Sequence, residues 1–325
     1  MIVPQYWAEK RLQHRARGRQ VTVRRFGWSD DSPEDAQAMA DLRAAEGLER
    51  VLAFKSNLRS EPRVPYNGAQ GVPIREEIIS RHGETIITRN SYGALCLNTP
   101  NVLFVDVDFE NSPGPGLMWM ILGPLLLMAV IAAWLMKSVP VFLAIAAAAF
   151  VVTRLVAILF HLFLSAWRGG AEASARRRVE KFIEQNPNWS LRVYRTPAGL
   201  RLLAMQQTFD PNDPAVCDCF HALGADPVYV QMCLNQQCFR ARVSPKPWRV
   251  GVARHMRPQP GVWPVAPERM EIRNVWIAEY EAACPSFASC HFEGTLGSGA
   301  SHAETRRVQE LHDELSRANS SLPIA

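Results

Sequence analysis

Between Leu117 and Trp167 the chain has only two charged side chains, Lys137 and Arg154, and no carboxylate. That scarcity excludes an ordinary soluble helix pair, which keeps a polar face toward water. Other absences narrow the chemistry. The glycine-rich turn in "FEGTLGSGASHAETRRVQELHDELSRA" has neither the lysine of a phosphate-binding loop nor the dinucleotide fingerprint. No Ser-His-Asp or Cys-His arrangement stands out, and His312 and Asp313, adjacent in sequence, are expected to point in different directions rather than form an acid–base pair. The first 25 residues hold seven Lys or Arg and no apolar run, which argues against a cleaved signal peptide. Outside residues 117–167, 34 basic residues meet 31 acidic ones, a net charge of +3. That balance is too even for nucleic-acid binding through bulk electrostatics.

What is present in the uncharged region is long enough to cross a bilayer. Twenty residues from Leu117 to Met136, at roughly 1.5 Å of helical rise each, match a hydrocarbon core of roughly 30 Å. A second run from Val139 to Trp167 follows after a turn of Lys137 and Ser138, with Pro140 suited to a first helical turn. The sequence therefore predicts a transmembrane hairpin over 111–170, with spans at about 117–136 and 139–163. Arg168 and the triplet Arg176, Arg177 and Arg178 lie just beyond the second span, against one lysine in the turn. The positive-inside rule then puts both flanks in the cytoplasm, in a plasma membrane, or in the inner membrane if the source is bacterial. Seven cysteines in such a chain predict reduced thiols. Arg154, inside the second run, reads as a snorkelling cation or as a contact between copies through the transmembrane helices. The basic stretch "KRLQHRARGRQVTVRR" reads as a solvated lead-in or a contact to anionic headgroups.

The flanks read as one α+β domain with a mixed or antiparallel sheet, its N-terminal part at 1–110 and its C-terminal part at 171–325. Ser32, Pro33, Glu34 and Asp35 predict the start of a helix. Residues 62–75 are rich in turn formers. Strands are predicted in "ETIITRN", "GALCLN" and "NVLFVDVDF", and then a hairpin from Ser190–Thr196 to Leu200–Met205 around Pro197-Ala198-Gly199. A polar helix is expected in "EASARRRVEKFIEQNP", and a last one from about Ser301 to Ala318. On this reading the hairpin is an insertion in the loop after the aspartate strand, with "ENSPGPG" as the exit from the soluble fold.

Residues two apart on a strand share a face, so Asp106 and Asp108 are expected to project together while Val105, Val107 and Phe109 enter the core. Two carboxylates so placed suit Mg2+ or Mn2+. "VLFVDVDF" followed by "YRTPAGLRLL" resembles two motifs of the archaeo-eukaryotic primase family, which includes primase-polymerases. In that family a hydrophobic strand offers two aspartates to divalent metal, and a glycine-containing hairpin offers a histidine to the incoming nucleotide. The resemblance covers roughly twenty residues. It implies metal binding at Asp106 and Asp108 and nucleotidyl transfer. At the histidine position the chain departs from the family pattern with Arg201, which reads as a phosphate contact through its charged fork or as a surface arginine on the hairpin. The family's third carboxylate is not assigned; Asp210, Asp213, Asp218 and Asp226 are the residues considered for it. The competing expectation is a catalytically inactive, membrane-tethered interaction or nucleic-acid-binding module.

Two further segments attract attention. Cys217, Cys219, Cys233 and Cys238 supply four soft ligands that could hold zinc if the chain folds back, or four small buried hydrophobes, with Cys233 and Cys238 within or beyond a helix from Pro227. Arg240, Arg242, Lys246 and Arg249 surround "SPKPW". They read as contacts to nucleotide or nucleic-acid phosphate, or as a charged strand face ending in a corner where Trp248 packs.

Overall fold

The computed structural model describes residues 3–16, 19–54, 59–61, 63–64, 68–69, 71–109, 114–167, 169–258 and 263–325. Glu110 to Pro113 of the expected exit, Arg168 of the basic cluster and part of the 62–75 turn region lie outside the described residues. The chain separates into two compact units. One joins Met1–Val107 to Phe182–Ala325, and the other is Asp108–Lys181.

The first unit begins with a structure that its basic composition concealed. Strands β1 (Tyr6–Ala16) and β2 (Arg19–Ser29) pair antiparallel along eleven residues, where a solvated or lipid-facing lead-in was expected. The signal was period-two alternation, with Val21, Val23 and Arg25 on one face and Arg24, Phe26 and Trp28 on the other. Val23 is buried, and helix α1 (Pro33–Leu52) packs on this ribbon through Ala36, Ala40 and Ala44. A Cβ at Gly27 would run into the backbone of Ala36 and Ala40, so only glycine permits that approach. The Ser32 hydroxyl accepts from the Asp35 amide at 3.0 Å, capping α1 where the sequence predicted.

Short strands β3 (Arg63–Val64) and β4 (Gly68–Ala69) pair with each other. Then come β5 (Glu77–His82), β6 (Thr85–Arg89), β7 (Leu95–Thr99) and β8 (Phe104–Asp108). After the apolar helices and α4 (Gly170–Gln185), the chain continues through β9 (Ser190–Arg195), β10 (Gly199–Ala204), α5 (Pro214–Leu223), α6 (Pro227–Gln236), β11 (Phe239–Arg242), α7 (Met270–Ala283), β12 (His291–Gly297) and α8 (Ala303–Ser316). Two four-stranded sheets result, in the orders β11-β7-β6-β5 and β12-β9-β10-β8. The β5/β6, β6/β7, β7/β11, β9/β10 and β9/β12 pairs are antiparallel. In both sheets a strand encoded before the apolar segment lies beside one encoded after it, and this is an α+β fold. β10 is buried at every position, Arg201 included.

The second unit is built on α2 (Pro115–Met136) and α3 (Val139–Trp167), which pack against each other across the turn at Lys137–Ser138. Lys137 adopts the left-handed conformation, with φ 47°, that ends α2. Ala149, Thr153 and Ala157, four residues apart, are buried on α3, and Leu122 and Ala129 are buried on α2. Small residues at this spacing let two backbones approach closely. Their outer surfaces expose large apolar groups, among them Trp119, Leu127, Trp134, Phe163 and Trp167. Both helices are long and apolar enough to cross a membrane.

Candidate functional site

The resemblance focuses on β8 and β10, neighbours in one sheet. On β8, Val105 and Val107 are buried, Asp106 is partly exposed, and Asp108 at the strand end is exposed. Across from Asp106 stands Arg201 of β10, whose side chain is only 2% exposed. Its Nε donates to Asp106 Oδ1 at 2.8 Å, and an Nη donates to Oδ2 at 3.2 Å. This is the two-pronged geometry in which a guanidinium and a carboxylate fit best. The other Nη donates to the Arg242 carbonyl at 2.7 Å and lies 3.5 Å from His312 Nε2. Burial pulls the Arg201 pKa down, but the Asp106 charge and its hydrogen bonds more than offset that, and the net shift is upward. Arg201 therefore sits inside the sheet, committed to Asp106, rather than on a surface open to phosphate.

The network continues through α8. His312 Nδ1 bonds Asp313 Oδ1 at 3.0 Å, which corrects the expectation that these neighbours point apart. Successive helical residues do diverge by about 100°. Here, however, both side chains are drawn into the same packed boundary: His312 is fully buried and Asp313 is 5% exposed. Asp313 Oδ2 accepts from Arg192 at 2.8 Å and from Gln309 at 2.7 Å. Burial alone would raise the Asp313 carboxyl, but its bond to His312 leads a set of contacts that hold it below the usual carboxylate range. Cys290 Sγ is 4.0 Å from His312 Nε2, and the Cys290 thiol is fully enclosed. The contacts link Asp106 to Arg192 through Arg201, His312 and Asp313, with His312 and Cys290 fully buried.

The remaining expected residues are dispersed. Arg240 is buried and donates to Glu76 Oε2 at 2.5 Å, and the same oxygen accepts from Thr88 Oγ1 at 2.6 Å. Asn98 extends that cluster by donating to Thr88 Oγ1 at 3.0 Å. Arg240 thus closes a core ion pair instead of facing phosphate. The Arg242 side chain is partly buried, and Lys246 Nζ lies 5.5 Å from the Trp248 ring. Trp248 is 49% exposed, more open than a packed corner implies. Cys217 is exposed and Cys219 buried on α5; Cys233 is buried on α6, and Cys238 is buried beyond it. Burial pushes the Cys219 and Cys238 thiols up to about 12 and raises Cys233 well above the ordinary thiol range, the behaviour of small core hydrophobes.

Whether divalent metal fits can be judged from the donors. Asp213 and Asp226 cap α5 and α6 by accepting from Ala215 and Val228 amides at 2.8 and 3.0 Å. Asp210 accepts from the Asn212 amide at 2.8 Å, and Asp218 is exposed on α5. Among the described residues no group of three or more His, Cys, Asp or Glu is placed to hold a metal ion. The four cysteines form no such group either. With both oxygens of Asp106 on a guanidinium, these residues as arranged do not fit Mg2+ or Mn2+.

No family model, curated protein or solved structure matches this chain. Sequence reasoning missed Glu76, Arg192, His312 and Asp313 as members of buried networks. Their partners lie between 1 and 164 positions away, and only the charge of Arg192 within the apolar "SLRVY" hinted at a buried role.

Proposed function

We propose that this chain is a membrane-inserted protein whose soluble unit is a non-catalytic interaction or ligand-binding module, with the primase-like strand and hairpin turned to a structural use. The observation that carries this reading is the two-pronged Arg201–Asp106 pair, which supplies from within the protein the positive charge that a divalent cation would bring. A ligand-free carboxylate pair held ready for metal normally stores repulsion; a carboxylate locked to a buried arginine stores none. Insertion of α2 and α3 in a plasma membrane is supported by their exposed apolar surfaces and by Trp119, Trp134 and Trp167 near the helix ends, where indoles favour the interface. An even number of crossings returns the chain to one side, and Arg176, Arg177 and Arg178 favour the cytoplasm for it. Arg154 is exposed on α3, away from buried Thr153, where it can snorkel or meet a second copy.

The test uses the full chain in nanodiscs. Asp106→Asn should lower the unfolding temperature, Mg2+ or Mn2+ should leave it unchanged in the parent, and labelled nucleotides should not be extended on single-stranded DNA or RNA. Metal-dependent extension that disappears in Asp106→Asn and Asp108→Asn would overturn the reading in favour of nucleotidyl transfer. Reporters near the two termini should both be cytoplasmic and one at Ser138 should face the opposite side; termini on opposite sides would defeat the hairpin topology.

A further inference from the structure

A second region, built by β1, β2 and the segment 263–269, has the opposite character. A cavity of about 560 Å3 is bordered by Trp7, Phe26 and Trp263 together with Arg11, Arg24, Arg75 and Arg269. Its size is that of a small-molecule site, within the roughly 300–1,000 Å3 typical of such sites. Four guanidinium groups share the wall with one carboxylate, Glu9. Glu9 is already engaged, with Arg11 at 2.6 Å and Arg24 at 3.8 Å. The Arg75 and Arg269 side chains have no hydrogen-bond partner among the described residues.

Arg75 is the informative member. It is partly buried, and its guanidinium lies 3.9 Å from the centre of the Phe26 ring. Burial, reinforced by nearby Arg24, lowers its pKa although Glu9 and Glu61 act the other way. The guanidinium is left with an aromatic face and with no protein hydrogen-bond acceptor among the described residues, so its donors are open to an acceptor brought by a ligand. The Trp7 indole N–H is buried without a hydrogen-bond partner among the described residues. An unmatched donor set beside aromatic faces asks for a ligand with acceptor oxygens and a planar ring.

We infer that this cavity binds a small phosphorylated aromatic compound of mononucleotide size, its ring against Trp7 or Trp263 and its phosphate on Arg75 and Arg269. The site is independent of Asp106 and Asp108 and requires no metal. The juxtaposition arises because the hairpin register sets Glu9 opposite Phe26 and Arg11 opposite Arg24, which places all four on the face away from Gly27 and α1.

Equilibrium dialysis of ADP against the full chain in phosphatidylcholine nanodiscs, with EDTA present, tests this. The expected result is one saturable site per chain. Arg75→Ala should weaken it about ten-fold or more and Arg269→Ala several-fold, as loss of a charge-assisted contact requires. Adenosine and inorganic pyrophosphate should each bind at least about ten-fold more weakly than ADP, since each lacks one half of the ligand. Asp106→Asn should leave binding unchanged if folded. Absence of saturable ADP binding would overturn the inference, as would equal affinity for pyrophosphate. Unaltered affinity in Arg269→Ala would also overturn it, and this exposed position keeps the test decisive even if Arg75→Ala unfolds.

Discussion

Arg201 and Arg75 stand in opposite situations within one protein, the first enclosed and the second only partly buried. Arg201 has a donor on each oxygen of Asp106 and another on a backbone carbonyl. Arg75 has a ring beneath it and no hydrogen-bond acceptor among the described residues. The first arrangement is complete within the chain, so its removal should damage the fold. The second is incomplete, so its removal should matter chiefly to a ligand. The contrast teaches that the position marked by a family-like motif and the position proposed for binding need not coincide.

The largest effect expected is at the Arg240–Glu76 pair, because both members are almost fully buried. Arg240→Met strands a buried carboxylate and should cost about 3–5 kcal/mol, while replacing both by apolar residues of similar volume should recover most of it. Thermal or denaturant unfolding of the single and double variants in detergent measures this; a loss below about 1 kcal/mol would remove Arg240 from the structural class.

Next is Asp106. Asp106→Ala leaves the enclosed Arg201 uncompensated and should cost about 3 kcal/mol, whereas Arg201→Met should cost less because Asp106, 31% exposed, can recover water. At about 2–4 °C per kcal/mol for a domain of this size, the two should separate clearly in melting temperature. The reverse order, or stabilisation by Asp106→Ala, would point to an acid held under strain for function and would break the comparison.

The pH response should be smaller. Asp313 has its folded pKa depressed, so it contributes stability above its unfolded value of about 3.8 and loses that contribution as pH falls through the folded value. Between pH 5 and about pH 3 the parent should therefore lose more stability than Asp313→Asn, which unfolding curves across that window would measure; parallel curves would exclude the carboxylate as a contributor. Smallest of all, Arg75→Ala should change stability by no more than about 1 kcal/mol, since lost packing on Phe26 is opposed by relief of burial and of repulsion from Arg24. A loss comparable to that of Asp106→Ala would make Arg75 structural and erase the distinction.

Much of the architecture was legible in local pattern. The two apolar helices to within a few residues, the turn at Lys137, the cap at Ser32, the three strands before the apolar run and the Pro-Ala-Gly hairpin all follow from hydropathy, period and turn chemistry acting over a few residues. The β1–β2 ribbon was less legible because its arginines disguised the alternation that Val21, Val23, Phe26 and Trp28 carry.

By itself, then, the sequence determined where apolar helices begin and end and which residues alternate on a strand, because those depend on near neighbours. It also placed two aspartates on β8 and an arginine on β10. Only the tertiary structure decided that Arg201 closes on Asp106, that Arg240 closes on Glu76, 164 positions away, and that Arg75 closes on no acceptor among the described residues. Charge pairing is set by distance and burial in three dimensions, and one arginine reads like another until the chain has folded.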